Sequence, residues 1–215
     1  MKKYQSGFTL VEIAIVLVII GLLLGGVLKG QEMIENAKTK SLINDMKGIT
    51  AAYYSYQDRY QAIPGDDLNA ALKFAGTFAG DGNGAIAGTY NGTTTPAAGA
   101  ATESIKVWQH LRLAGFLTGD SATATIRPGS STFGGFMGVE GVNTAFLMSG
   151  PKVCAGSVPS KHAQAVDTTI DDGIATTGSF RSGAAGAENL ATPTAATGTA
   201  YVAGAQTIHT VCLKF

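Results

Sequence analysis

The sequence predicts an α+β protein in which one long N-terminal helix packs, through its C-terminal half, on a small antiparallel sheet. Three patterns support this fold class. A continuous apolar run covers residues 8–28, apolar positions recur every three or four residues from Ile34 to Tyr60, and short alternating runs follow residue 130. Helices repeat every 3.6 residues and strands every two, so each pattern has the period of the element that it predicts.

Composition and charge exclude several classes of function. The 215 residues include 15 basic and 15 acidic side chains, and the C-terminal region has no basic stripe, so we expect no nucleic-acid partner. The sequence has no G-x-S-x-G, H-E-x-x-H or P-loop motif, and we predict that the protein is not an enzyme. Stretches rich in Gly, Ala and Thr at 85–102 and 183–205 predict long surface loops.

The apolar run at residues 8–28, FTLVEIAIVLVIIGLLLGGVL, contains one charged residue, Glu12. About 20 apolar residues in a helix span the hydrocarbon core of a bilayer. A secretory signal peptide has a shorter apolar run followed by an A-x-A-like site. A plain signal anchor accounts for the length but not for an acid within the run, which is disfavoured in lipid.

The segment KKYQSGFTLVE resembles the cleavage signal of the type IV pilin and type II secretion pseudopilin superfamily. Its parts are a short basic leader, Gly7 before the cut, Phe8 after it and Glu12 at the fifth mature position. The resemblance implies that a prepilin peptidase cuts after Gly7 and methylates the new amino group of Phe8. It also implies a pilin-like fold and a single-pass anchor in the bacterial inner membrane.

The resemblance divides the chain into four parts. Residues 1–7 are the leader, 8–28 the helix that lies in membrane lipid and later in the filament core, and 29–60 the amphipathic half of the same helix. Residues 61–215 form a periplasmic or extracellular head. The basic leader stays in the cytoplasm by the positive-inside rule, which places the head on the other side of the membrane.

Phe8 and Glu12 are four residues apart, about 6 Å along a helix axis. A neighbouring subunit shifted by a comparable amount would place its Phe8 amine against Glu12. That ion pair would satisfy a carboxylate in apolar surroundings and set the register of assembly. The alternative is that Glu12 meets the amine of its own chain at the bilayer surface. Partners implied by the resemblance are other pilin-like subunits and assembly-platform proteins.

Gly21, Gly25 and Gly26 interrupt the apolar run and have two interpretations. Small residues four apart allow close packing of helices in a membrane. Glycines also weaken a helix, so this segment could stretch when subunits assemble. Many pilins have a proline near this region, where this chain has Lys29, so both interpretations stay open.

The head is predicted to consist of short elements. Pro64 and Gly65 end the long helix, and the Y-x-x-I-P-G-D segment resembles that of many pilin-like proteins. Trp108 and the tyrosine row of the long helix are expected in the core, His110 in a hydrogen bond or in solvent, and the D-G-N-G at 81–84 in a tight turn. Helices are predicted over residues 68–74 and 103–116, and strands over 132–139, 144–148 and 207–215.

Two sets of side chains in the head are candidates for bonds beyond packing. Cys154 and Cys212 would be buried thiols in a cytosolic protein, but in an exported head we predict a disulfide. Asp167, Asp171 and Asp172 precede a glycine, and three carboxylates so close together could surround Ca²⁺. The alternative for the aspartates is a solvated helix end with an Asx turn. No cofactor is required, and calcium is the one candidate.

The sequence therefore predicts a structural subunit of a type IV pilus or a type II secretion pseudopilus. Both filaments use the same N-terminal chemistry, so both remain open. The alternative role is a minor pilin-like adhesin or a substrate-binding tip subunit, which would contact its ligand through the loops of the head.

Overall fold

The computed structural model describes residues 9–92, 102–121, 129–141, 146, 148–184, 201 and 207–215. The chain divides into two compact units, residues 1–38 and 39–215. In chain order the elements are α1 (Leu10–Tyr60), α2 (Ala70–Lys73), α3 (Glu103–Leu113), β1 (Gly129–Ser130), β2 (Phe136–Glu140), β3 (Lys152–Pro159), α4 (Ser160–Ile170), β4 (Phe180–Ala184) and β5 (Ile208–Lys214).

The first unit contains the apolar part of α1. Its large apolar side chains from Leu10 to Leu28 are all exposed, and the helix is long and apolar enough to cross a membrane. Ile34, the first residue of the predicted periodic apolar face, is 57% exposed. Burial on α1 starts at Thr39 instead, which is the first residue of the second unit. Periodicity identifies a helix face and not the surface that covers it, so the start of burial could not be read from the pattern.

The second unit has its core where α1 packs on the sheet. Leu42, Met46, Ile49, Tyr53 and Tyr56 recur at intervals of three or four residues and are buried. They belong to one apolar cluster with side chains from β3, β4 and β5. The predicted α+β, pilin-like architecture is confirmed: a long N-terminal helix and a small antiparallel sheet of five strands.

The strands lie in the order β1-β2-β3-β5-β4, and every neighbouring pair is antiparallel. The chain leaves β3 directly into α4, passes to the edge strand β4 and then returns as β5 between them. Val211 on β5 belongs to the cluster shared with α1, whereas Cys212 belongs to a second cluster. The alternating faces predicted for this strand are therefore confirmed, and both faces are covered.

The turn after α1 requires glycine at Gly65, whose φ is +93°. A Cβ there would also lie 2.6 Å from the carbonyl oxygen of Glu103. Left-handed φ and close backbone approach are both conditions that glycine alone meets without strain. The helix ends at Tyr60 as predicted, and this turn leads the chain under α3.

Several predicted boundaries were wrong. The helix predicted over 103–116 ends at Leu113, and the strand predicted over 132–139 runs from Phe136 to Glu140. The helix predicted over 68–74 is a single turn, α2. The strand predicted over 144–148 lies mostly outside the described residues, and the described Phe146 and Met148 are not in a strand.

Candidate assembly site

Thr9 and Glu12 close the N-terminal end of α1 with reciprocal hydrogen bonds. The backbone N–H and the hydroxyl of Thr9 both donate to Oε2 of Glu12, at 3.0 and 2.9 Å, and the N–H of Glu12 donates to the Thr9 hydroxyl oxygen at 3.2 Å. This arrangement is a capping box, in which two otherwise unpaired helix donors are satisfied. The T-x-x-E spacing is the sequence pattern of a capping box, but the role of Thr9 was not identified from the sequence.

The capping box uses only part of the Glu12 carboxylate. The hydrogen bonds from Thr9 both fall on Oε2, and the side chain is exposed. A carboxylate on an apolar helix is costly in lipid, where a cationic partner would stabilise it strongly.

Gly7 and Phe8 lie outside the described residues, so their arrangement stays a prediction. The helix that follows them is apolar on all sides, which is the pattern of a helix surrounded by apolar groups. A shallow groove on its surface is lined entirely by apolar positions: Leu10, Val11, Ala14, Ile15, Val18 and Ile19.

The glycines of α1 have free space around them. A Cβ added at Gly21, Gly25 or Gly26 would meet none of the described residues within 4 Å. No contact with the described part of the chain therefore requires glycine at these positions. The reason for them lies either in contact with another helix or in the weakness that glycine gives to the helix.

Cys154 on β3 and Cys212 on β5 lie directly opposite each other in the sheet and form a disulfide. Both residues are fully buried, among Tyr90, Phe146 and Met148. The bond links positions 58 residues apart in sequence, which corresponds to roughly 4 kcal/mol in the chain-entropy model. A disulfide of this kind is typical of a domain that folds in an oxidising compartment.

The three aspartates predicted to hold calcium come together at the end of α4. One carboxylate oxygen from each lies within 4.8 Å of the others. Asp167 is fully buried and accepts hydrogen bonds from the Gly173 N–H, at 2.9 Å, and the Tyr201 hydroxyl, at 2.6 Å. Burial raises the pKa of the Asp167 carboxyl above its usual value.

The two neighbouring carboxylates also have partners within the chain. Asp171 accepts the N–H of Phe180 at 2.8 Å, and Asp172 accepts the N–H of Ile174 and the hydroxyl of Thr177. These bonds match the alternative interpretation, a helix end closed by Asx-type turns. A cation at this point would have to replace some of them.

Calcium binding at Asp167, Asp171 and Asp172 stays a prediction with a direct test. If Ca²⁺ binds there, the melting temperature of the full chain rises with Ca²⁺ concentration. At a Ca²⁺ concentration a hundred times the dissociation constant, the free energy of unfolding increases by about 2.7 kcal/mol. Asp172→Asn should remove that rise. A calorimetric titration without heat, together with an unchanged melting temperature, would contradict the prediction.

A second group of carboxylates, formed by Asp66, Asp81 and Glu103, was not identified from the sequence. Asp66 accepts hydrogen bonds from three backbone N–H groups of residues 82–84. Glu103 accepts the N–H of Asp81 at 3.0 Å. These carboxylates hold the D-G-N-G segment in the tight turn that the sequence predicted. Glu103 lies 22 positions after Asp81 and 37 after Asp66 in the sequence, and only the fold brings these carboxylates together.

Comparison with known families supports the assignment of the N-terminal region. Residues 2–28 match the family model of the prokaryotic N-terminal methylation motif. Neither curated proteins nor solved structures gave a match to this chain. The motif implies processing by a prepilin peptidase and assembly with other pilin-like subunits, and together with the apolar α1 it fits a membrane-anchored start. The chain thus carries, ahead of a pilin-like α+β fold, the N-terminal methylation signature of type IV pilins and pseudopilins.

Proposed function

We propose that this protein is a structural subunit of a type IV pilus or a type II secretion pseudopilus. Prepilin peptidase removes residues 1–7 and methylates the amine of Phe8. Residues 8–28 hold the subunit in the inner membrane and then enter the filament core, and the head at 61–215 lies in the periplasm before assembly. Assembly-platform proteins and other pilin-like subunits are its partners.

The main observation behind this proposal is the position of the Glu12 carboxylate, in the part of α1 that matches the methylation motif. Glu12 is the one charged residue of the apolar run, and its Oε2 is held by Thr9. A charge in lipid is costly unless a partner neutralises it. The amine that cleavage creates on Phe8 of a neighbouring subunit supplies that partner. The buried disulfide supports export of the head to an oxidising compartment.

Mass spectrometry of the protein recovered from cells tests the processing step. In cells with an active prepilin peptidase, the mature chain is expected to begin at Phe8 with one methyl group on its amine. Gly7→Glu places a charged, bulky side chain at the cleavage position and is expected to leave the leader attached. Gly30→Ala is the matched control, because a Cβ there meets nothing within 4 Å and the position follows the matched motif.

The outcomes separate the proposal from a plain membrane anchor. A plain anchor would keep Met1 in all three proteins, and an intact Met1 in the wild type contradicts the proposal. Efficient cleavage of Gly7→Glu would place the cut elsewhere and contradict the assignment of Gly7.

A further inference from the structure

The segment of residues 61–92 follows α1 and contains one short helix, α2. Buried polar side chains of α3 hold this segment in place. Glu103 and Gln109 each accept hydrogen bonds from two donors in the segment. His110 is a third such side chain, and it contacts the segment at two separate points.

His110 is fully buried, and both of its ring nitrogens are used. Nδ1 accepts the backbone N–H of Gly65 at 2.9 Å, and Nε2 lies 2.8 Å from the carbonyl oxygen of Phe78. An accepting nitrogen carries no proton, so the ring is neutral with its proton on Nε2. The neutral ring of Tyr56 on α1 stacks against it, with centroids 5.9 Å apart.

Protonation of His110 is incompatible with this arrangement. The second proton would sit on Nδ1 and face the N–H of Gly65, so two donors would point at each other. The Gly65 N–H would then be buried without an acceptor, which is destabilising. Turning the ring over does not help, because the charged ring has a donor at both nitrogens and one of them would still face the Gly65 N–H.

The charged groups around the ring have opposing effects on its pKa. Burial is the largest influence and lowers the pKa of His110 below its ordinary value of 6.5. The hydrogen bond to Phe78 and the charge of Asp67 favour protonation, whereas Lys106 and Lys73 oppose it. Because the folded-state pKa is below 6.5, the unfolded chain binds this proton more readily than the folded chain does.

We propose that His110 is an acid-sensitive latch, whose neutral ring ties residues 63–78 to α3 and whose protonation releases them. Its contribution to stability is complete above about pH 6.5 and is lost as the pH falls through the folded-state pKa. The latch does not depend on filament assembly. It makes the turn after α1, with the exposed Leu68 and Leu72, the part of the head that loosens first in acid.

Hydrogen exchange of the full chain in detergent micelles tests the latch. Peptides covering 61–80 are followed between about pH 7 and about pH 4, with rates corrected for intrinsic exchange. Protection in these peptides is expected to fall by up to about tenfold for each pH unit between the unfolded-state and folded-state pKa of His110. Peptides covering β2, which contains no histidine, are expected to keep their protection over the same range.

His110→Gln is the informative variant. The amide oxygen of glutamine can accept the Gly65 N–H and its nitrogen can donate to Phe78, but the side chain does not titrate. The loss of protection in acid should therefore disappear. His209→Gln is the matched control, because His209 is also fully buried and lies on β5. The acid response of residues 61–80 should persist in that variant.

Several outcomes would overturn the latch. They are unchanged protection of 61–80 in acid, an equal loss in His110→Gln, and simultaneous loss in β2, which would indicate global unfolding. If His110→Gln does not fold, NMR titration of the His110 ring in the wild type replaces it. The midpoint of the ring titration must then coincide with the loss of protection, and a separation of the two contradicts the proposal.

Discussion

Replacing Glu12 with glutamine is expected to leave the subunit processed and inserted in the membrane but to reduce its incorporation into filaments by at least about a hundredfold. The amide keeps the shape of the side chain and can still reach back to the Thr9 N–H. It loses the charge that would pair with the Phe8 amine of a neighbouring subunit. Breaking one partner of a desolvated ion pair costs about 3–5 kcal/mol.

Sheared filament fractions, quantified against the membrane fraction, measure this effect. Thr9→Val removes the hydroxyl of the capping box and costs about 1 kcal/mol of helix stability, but it keeps the Glu12 charge. Glu32→Gln removes an exposed acid that pairs with Lys29 on the same helix. Both controls are expected to assemble. Normal incorporation of Glu12→Gln would show that the carboxylate meets only its own amine or has no role in assembly.

Replacing Glu140 with glutamine is expected to destabilise the head by about 3–5 kcal/mol. Glu140 on β2 and Lys152 on β3 are paired across the sheet and fully buried, with Lys152 Nζ 3.7 Å from Glu140 Oε1. Lys152 also donates to the carbonyl oxygen of Gly150 at 3.2 Å. Burial lowers the pKa of Lys152, and the charge of Glu140 opposes that shift. Without Glu140, the ammonium would be buried without its counter-charge.

Denaturant unfolding of the oxidised full chain at neutral pH measures this loss. The double variant Glu140→Gln, Lys152→Met removes both charges and should regain most of the lost stability, because the pair itself contributes little net free energy. Lys214→Met removes an exposed lysine of the same sheet and should change stability by less than about 0.5 kcal/mol. Equal losses in the single and double variants would contradict an electrostatic cause.

Elements with a strong period were predictable from the sequence. The apolar run and the stripe through Ile43, Met46 and Tyr53 gave α1, and the alternation around Val211 and Cys212 gave β5. Trp108 was expected in the core and is 4% exposed. These predictions succeeded because the period of burial is a local property of a helix or strand.

The middle of the sheet was not predictable in the same way. In β3, residues 152–156 are buried on both faces, so the strand shows no alternation of apolar and polar residues. Its first residue is the buried Lys152, which local rules place at the surface. Helix α4 was also missed. Ser160, His162 and Asp167 are buried within it, and their polarity concealed its buried face.

The candidate sites also differ in whether the sequence alone could reveal them. Gly7, Phe8 and Glu12 were identified from the sequence because the methylation motif is a contiguous pattern that needs no fold to be read. The hydrogen bonds of His110 to Gly65 and Phe78 were invisible there, since both partners are more than 30 positions away. Loop closure over such distances follows from the packing of α3 and not from local propensity.

The sequence by itself determined the apolar run at residues 8–28, the methylation motif and the α+β class, because each rests on hydrophobic period or on a short contiguous pattern. Tertiary structure alone decided which polar side chains are buried. Desolvation is a property of the whole environment, so it gives Glu140 and Lys152 their mutual dependence and keeps His110 neutral.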